Sequence, residues 1–348
     1  FFGVLSVLYP PVFTMASWVA RRGARVAVLC EKGSAVLAAQ TRNLKECGVD
    51  LVRVSSVEDV TNAGPVDALL VVPPAKVAVV DEAWEKAGWN DSVQWVHSFS
   101  AGVDAMATLT KNRLIPGNIP LSNGRGAFSS SLAEYAITTT LYFNKQVARW
   151  QRNRAEKKWD RFTMDTIKGK QMGFLGFGDI AQHTAQLAKA CGMRVGVLRR
   201  NPQKNDSALV DQTYTEKEDI LRDSDFILAS LPGTPETIDF VSRAEFNAMK
   251  DGAVFISCGR GVTVDEEALY DAVKAEKIFA ALDVFKVEPL PETSPLWSLP
   301  DDRFLVTAHN ADLTSDYLEL GWGVFYDNLD AFLEGKDLST PVNKEHGY

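Results

Sequence analysis

Gln171-Met-Gly-Phe-Leu-Gly-Phe-Gly-Asp-Ile-Ala181 reads as a short apolar strand that runs into a glycine turn and then a helix. Gly176 permits the tight turn, Gly178 lets the backbone come close to a pyrophosphate, and Ala181 takes the third small position, where helix meets strand. A helix starting at Asp179 would turn its unpaired N–H groups and positive dipole end toward the phosphates. Gly176, Phe177, Gly178, Asp179 and Ile180 are therefore the expected centre of a dinucleotide site. A glycine turn alone needs no ligand, because any tight strand–helix junction favours glycine. Here the helix pattern continues to Gly192 and a second strand follows at residues 193–198, which completes the unit that dinucleotide binding requires.

That second strand ends in Arg199-Arg200, followed by Asn201-Pro202. An NAD-selective site usually carries an acidic residue here, accepting hydrogen bonds from the ribose hydroxyls. Two guanidinium groups suit a 2′-phosphate instead, through charge-assisted contacts. NADP(H) is the expected preference and NAD(H) the alternative; two solvated arginines at a strand end are the bland reading.

The same pattern repeats in both directions. Residues 225–230, 253–258, 278–284 and 304–307 are short apolar runs downstream, as are residues 24–30, 49–54, 67–72 and 93–97 upstream. A helix-like stretch through Leu44 separates the first two upstream runs, and Pro73-Pro74 stops the third. Strands alternating with helices imply parallel sheets covered on both faces. The expected fold is α/β: two Rossmann-like, doubly wound parallel-sheet domains with a cleft between them. A length of 348 residues suits two domains at roughly 150 residues each. Residues 129–144 read as a long helix between the units. Residues 145–161 interleave lysines and arginines with Trp150 and Trp159. A charged connection whose tryptophans anchor it to a neighbouring surface fits this segment better than a nucleic-acid patch.

The chain carries 37 Lys and Arg against 45 Asp and Glu, a net charge of −8, which argues against nucleic-acid binding through a globally basic surface. Cys30, Cys47, Cys191 and Cys258 have no zinc-type spacing and are too few for a disulfide framework. No metal is expected, and a reducing compartment such as the cytoplasm fits. The segment Phe1–Ala20 is strongly apolar, but Pro10-Pro11 divides it, which works against a spanning helix and a membrane partner. Its basic pair, Arg21-Arg22, follows the apolar run, whereas a signal peptide carries its basic residues first. A fragment of an N-terminal extension and a packed leading segment are the two main readings, with a membrane anchor behind them; organelle import stays open.

Three further motifs fall at the ends of later strands, where open α/β sheets hold their ligands. They are Ser257-Cys-Gly-Arg-Gly261, Asp283-Val-Phe-Lys-Val-Glu-Pro289 and Thr307-Ala-His309. With Gly176-Phe-Gly178, Ser100-Ala-Gly-Val-Asp104 and Leu231-Pro-Gly-Thr-Pro-Glu-Thr237, they resemble in order and spacing the D-isomer-specific 2-hydroxyacid dehydrogenases, and within them the glyoxylate/hydroxypyruvate reductases. The resemblance covers nearly the whole chain from about Ala24 onward.

The resemblance implies a substrate-binding domain of residues 1–124 plus 309–348 and an NAD(P)-binding domain of residues 125–308. It implies hydride transfer between NAD(P)H and a small 2-oxo acid such as glyoxylate or hydroxypyruvate. His309 would be the acid and base, a role imidazole can fill in both directions because its ordinary pKa of about 6.5 lies near operating pH. Glu288 would hold the other ring nitrogen. Arg260 would bind the substrate carboxylate with its guanidinium fork, helped from the other domain by backbone N–H groups of Ala101, Gly102 and Val103. Asp283 would meet the nicotinamide carboxamide, while Leu231, Pro232, Thr237, Cys258 and Gly259 would line the cofactor cleft. Residues 128–168 would pair two copies into a homodimer.

Each of these residues alone has a plainer reading: a solvated arginine, a Glu-Pro turn, a structural histidine. Their occurrence together and in order favours the catalytic one. His97 and His183 fall outside the motifs and read as structural, and His346 as part of the tail. Two departures stand out: the family's proline before the histidine is Ala308 here, and its Asn-x-Ala-Arg-Gly is Ser257-Cys-Gly-Arg-Gly261. Cys258 reads as a small buried residue rather than a redox thiol. A dinucleotide-sensing binding protein of the corepressor type is the rival on the same scaffold, and the intact Arg260, Glu288 and His309 set weighs against it. A methyltransferase would want an acidic residue where Arg199-Arg200 stands.

Overall fold

Apolar runs with no polar alternate suit strands covered on both faces, and the chain uses them to build two parallel sheets. The computed structural model describes residues 23–200 and 208–347; the apolar segment Phe1–Ala20, Arg21-Arg22 and Asn201-Pro202 lie outside them. The first sheet contains β1 (Ala24–Leu29), β2 (Val49–Val54), β3 (Ala68–Val71), β4 (Trp95–Ser98) and β5 (Leu121–Asn123), in the order β2-β1-β3-β4-β5. The second contains β6 (Gln171–Leu175), β7 (Arg194–Leu198), β8 (Gln212–Tyr214), β9 (Phe226–Ala229), β10 (Ala253–Ser257), β11 (Ile278–Leu282) and β12 (Phe304–Val306). Its order is β12-β11-β10-β9-β6-β7-β8. Strand order reverses between β1 and β3 in one sheet and between β6 and β9 in the other, and each reversal opens a crevice at the strands' carboxyl ends. Both sheets are doubly wound α/β, as the alternation predicts.

The chain leaves the first sheet after Asn123 and returns to it after β12. The last helix, Tyr317–Leu333, lies on the first sheet: Trp322 Nε1 donates to Val36 O at 2.7 Å and Phe325 stacks on Trp95. A Cβ at Gly321 would fall 2.2 Å from the Phe99 ring, so only glycine lets this helix seat. The tail then adds to the edge of β5, with Val342 N–H donating to Leu121 O at 2.9 Å. The helix Ser129–Asn144 belongs to the other core, where Ala136 meets Ala181, Ala185 and Ala188 of the helix Asp179–Ala190. Small residues on both faces let those backbones approach closely.

Several local expectations need correction. The stretch through Leu44 forms two short 3-10 turns, Ala35–Leu37 and Leu44–Cys47, rather than one helix. Ser34 caps the first, and Gly48 at φ 74 ends the second. Strands β5, Leu121-Ser-Asn123, and β8, Gln212-Thr-Tyr214, are three residues each and mostly polar, so neither stands out as an apolar run. Residues 145–161 include a helix, Val147–Ala155, set off from the preceding one by Gln146 at φ 54. Trp159 is 93% exposed and finds no anchor among the described residues, while Trp150 is 44% exposed. The basic residues are held by acids instead, Arg149 by Asp160 at 2.6 Å and Arg152 by Asp302 at 3.0 Å. His183 is an exposed helix residue whose Nδ1 lies 2.9 Å from Asp179 O. His97 is fully buried in β4, as expected of a structural residue.

Candidate active site

The glycine turn after β6 takes the conformation that its sequence demands. Gly176 has φ +86, in the left-handed region, and Ala181 is fully buried where the helix meets the sheet. A Cβ on Gly178 would meet nothing within 4 Å among the described residues, so none of them crowds the backbone there. No side chain caps the helix Asp179–Ala190, which leaves its first N–H groups available to an anion. Asp179 and Ile180 are half-buried, and Arg125 Nε stands 3.6 Å from the Asp179 carboxylate. Beside the turn, the Arg199 guanidinium lies 5.0 Å over the Phe177 ring, while Arg200 is exposed. These residues fit a dinucleotide: a close backbone approach, free helix N–H groups, and arginines at the end of the second strand.

Leu231 and Pro232 follow β9, and Cys258 and Gly259 follow β10. A Cβ at Gly259 would lie 2.5 Å from Leu231 O, so glycine lets the two loops pack backbone against backbone. Thr237 lies buried beneath this wall; its Oγ1 donates to Pro232 O at 2.6 Å and accepts from Thr234 N–H at 2.8 Å. It shapes the loop and does not form its open face. Cys258 is buried, and burial pushes its thiol up to about 12, so it stays protonated and inert.

Across the cleft, the loop after β4 turns back on itself. Ser100 Oγ donates to Gly102 O at 2.9 Å, and Asn123 Nδ2 donates to Ala101 O at 2.6 Å. With their carbonyls engaged, the N–H groups of Ala101, Gly102 and Val103 have no acceptor among the described residues. Arg260 reaches this loop from the other unit. Its guanidinium rests on Gly102, where an added Cβ would come within 1.3 Å of Nη2. Arg260 Nε donates to Asp104 Oδ2 at 2.7 Å, and Nη1 donates to Gly259 O at 2.9 Å.

The acid–base pair lies at the ends of β11 and β12. His309 Nδ1 is 2.7 Å from Glu288 Oε2, and Glu288 Oε1 accepts the Phe285 N–H at 2.9 Å. One carboxylate thus fixes the ring to the backbone, and His309 Nε2 has no partner among the described residues. His309 has φ +49, a strained value for a residue with a side chain. Asp283 holds it there. Its carbonyl accepts the His309 N–H at 2.8 Å, and its Oδ1 accepts from Thr307 Oγ1 at 2.6 Å and Asn310 N–H at 3.1 Å. The residue expected at the carboxamide is therefore also the hub of the histidine turn. Sequence reasoning quoted Asp104 without assigning it a role and missed Asp312. Burial raises the Asp312 carboxyl above its usual range, against the opposing pull of His309 and Arg260, so this acid lies within electrostatic reach of both. Its place three residues after the motif histidine was the available signal.

Two doubly wound units, a glycine turn at one crevice, and an acid–base pair and an arginine carried by the same sheet, with the arginine reaching across the cleft to the loop at residues 101–104, are the features of a dinucleotide-binding α/β protein. Residues 137–311 match the family described as D-isomer specific 2-hydroxyacid dehydrogenase, NAD binding domain, and the chain belongs to that family. It is 34% identical to a hydroxypyruvate reductase of Thermotoga maritima over 57% of this chain and 65% of that protein. It is 30% identical to a glyoxylate reductase of Aeropyrum pernix over 72% of this chain and 76% of that one. Among solved structures, a D-isomer specific 2-hydroxyacid dehydrogenase family protein from Aeromonas salmonicida superposes with TM-score 0.77 at 27% identity, covering 93% of this chain and all of that one. The chain spans less than two thirds of the first curated relatives it matches, with 38% and 52% of two D-3-phosphoglycerate dehydrogenases. No helix among the described residues is long and apolar enough to cross a membrane.

Proposed function

We propose that the protein transfers hydride between a nicotinamide cofactor, NADP(H) by preference, and a small 2-oxo acid of the size of glyoxylate or hydroxypyruvate. The observation that carries this reading is the occurrence of two features at one cleft. The first is an anion site made between the units, the N–H groups of residues 101–103 of one against the Arg260 guanidinium of the other; the second is a histidine, at the end of β12 on the same sheet as Arg260, whose ring is fixed by a carboxylate at 2.7 Å. The first suits a carboxylate, through charge-assisted contacts from both units. The second suits proton transfer at His309 Nε2 to the neighbouring carbonyl oxygen, with Glu288 keeping the ring oriented.

When bound, the nicotinamide nucleotide supplies the hydride. The chain's part is to hold its phosphates at the Gly176–Ile180 turn and its adenosine end near Arg199 and Arg200. Closure of the two units, residues 1–124 with 309–348 on one side and 125–308 on the other, excludes water and brings His309 to the carbonyl. The exposed Trp159 and Trp150 support a homodimer through residues 128–168. Purified protein assayed with NADPH and NADH against a panel of 2-oxo acids tests the activity. Equal kcat/KM with both nucleotides overturns the NADP(H) preference; nucleotide binding without any turnover overturns the enzymatic reading. Solution mass at micromolar concentration tests the dimer, and a stable monomer rejects it.

A further inference from the structure

Arg260 is held by four separate contacts, and only one comes from the opposite unit through a side chain. Gly233 flanks its stem: a Cβ there would be 3.4 Å from Arg260 Cβ and Cγ. Its plane rests on Gly102, its Nη1 donates to Gly259 O, and its Nε donates to Asp104 Oδ2 at 2.7 Å. A guanidinium can meet a carboxylate along its Nε/Nη2 edge or its Nη1/Nη2 edge. Asp104 takes Nε. What remains is Nη2, with no acceptor among the described residues, and the second N–H of Nη1. Nη2 lies against the same loop whose 101–103 N–H groups are unpaired.

We propose that Asp104 is a positioning residue for substrate binding. It holds Nε so that the Nη edge of Arg260 faces the anion site, and it ties the arginine of one unit to the loop of the other. The role rests on the reading that Arg260 and residues 101–103 receive a 2-oxo acid carboxylate. Asp104 is half-exposed, and an exposed ion pair adds little to stability, so its effect belongs in substrate affinity rather than in folding.

The test compares wild type, Asp104→Ala and Asp104→Asn. Replacement by alanine should raise KM for a 2-oxo acid about tenfold, the order expected from losing one charge-assisted hydrogen bond that fixes the arginine, with kcat changed far less. Asparagine keeps an oxygen acceptor for Nε and should restore most of the affinity. On the matching 2-oxo amide, which has no carboxylate, the alanine variant should lose at least fivefold less than on the acid. Calorimetric titration of oxamate into the nucleotide-loaded protein gives a readout that needs no turnover and should show the same weakening. Equal KM and equal oxamate affinity in wild type and Asp104→Ala, or equal losses on acid and amide, overturn the role of Asp104 while leaving the enzymatic reading intact. A wild-type protein that neither reduces 2-oxo acids nor binds oxamate overturns the carboxylate reading, and the role of Asp104 with it.

Discussion

Acid should loosen the first sheet through His97. The ring is fully buried in β4, edge-on to Trp95 and Phe325. Trp95 Nε1 donates to Ser122 Oγ at 2.9 Å, and that hydroxyl lies 2.7 Å from His97 Nδ1. Nε2 is buried without a hydrogen-bond partner among the described residues. With nothing nearby to offset a charge, burial lowers the pKa from the ordinary 6.5 to about 3. The folded ring is therefore neutral across the working range, while the unfolded chain takes up a proton as pH drops through 6.5. Between the two values the unfolded state binds more protons, so stability falls as pH falls. For one site with these two pKa values, the linkage penalty is about 0.2 kcal/mol at pH 7 and about 2 kcal/mol at pH 5. The second figure hardly depends on where the folded value lies, because the folded ring is still neutral at pH 5.

Among the described residues, the fully buried tryptophans Trp84, Trp89, Trp95 and Trp322 all belong to this unit, so their emission follows its unfolding. Urea titrations of wild type and His97→Gln at pH 7 and pH 5 provide the comparison. Wild type should lose about 2 kcal/mol more than the variant between the two pH values. Other titrating groups cancel in that double difference, and His97→Phe serves as a second replacement that cannot titrate. Equal losses in wild type and both variants would refute the argument. The consequence reaches function, because β4 leads directly into the loop at residues 100–104.

Other expectations are as direct. His309→Gln should lower kcat by about 100-fold or more, the usual worth of a positioned acid–base group, with NADPH affinity measured by calorimetry left near wild type. Gly102→Ala should act like loss of Arg260: the new methyl would fall 1.3 Å from Nη2 and displace the guanidinium. KM for 2-oxo acids should rise steeply, while the circular dichroism spectrum and melting temperature stay close to wild type. Thiol titration with an aromatic disulfide should find Cys191 and Cys47 reactive in the native protein, with Cys30 and Cys258 reacting only after denaturation. A fast third thiol would contradict the burial and raised pKa of Cys258.

The parts of the fold that were legible in the sequence are those fixed by local chemistry. Fully buried strands such as β6, β9 and β10 leave unbroken apolar runs, and the turn at Gly176 needs a residue tolerant of φ +86. Strands β5 and β8 are set by their neighbours in the sheet, and three residues carry no period of their own. Residues 34–47 contain enough apolar positions for a helix, yet the chain makes two capped turns there. Of the candidate site, Arg260, Glu288 and His309 were singled out through resemblance, and the last two meet at 2.7 Å. The partner of Arg260 was not legible. Asp104 lies 156 residues away in another unit, and neither hydropathy nor spacing links the two. Trp159 shows the converse: the sequence suggested an anchor, but no surface among the described residues receives it.

The alanine before His309 raises the question of what replaces the stiffness of the family's proline. A proline would restrict the backbone just ahead of the histidine. Here His309 itself occupies φ +49, a conformation that costs on the order of 1–3 kcal/mol for a residue with a side chain. The offset comes from β11. Asp283, buried at its end, accepts from the His309 N–H, the Thr307 hydroxyl and the N–H groups of Asn310 and Ala311, and Asn310 Oδ1 in turn accepts the Ala308 N–H at 3.2 Å. Each is a hydrogen bond that a relaxed turn would give up. Several together, most of them to one buried carboxylate, are enough to hold the strained geometry. The histidine is thus fixed twice, through its backbone by Asp283 and through its ring by Glu288, and Ala308 adds to the turn an N–H that a proline could not donate. The missing proline removes a local restraint that this site supplies from the neighbouring strand.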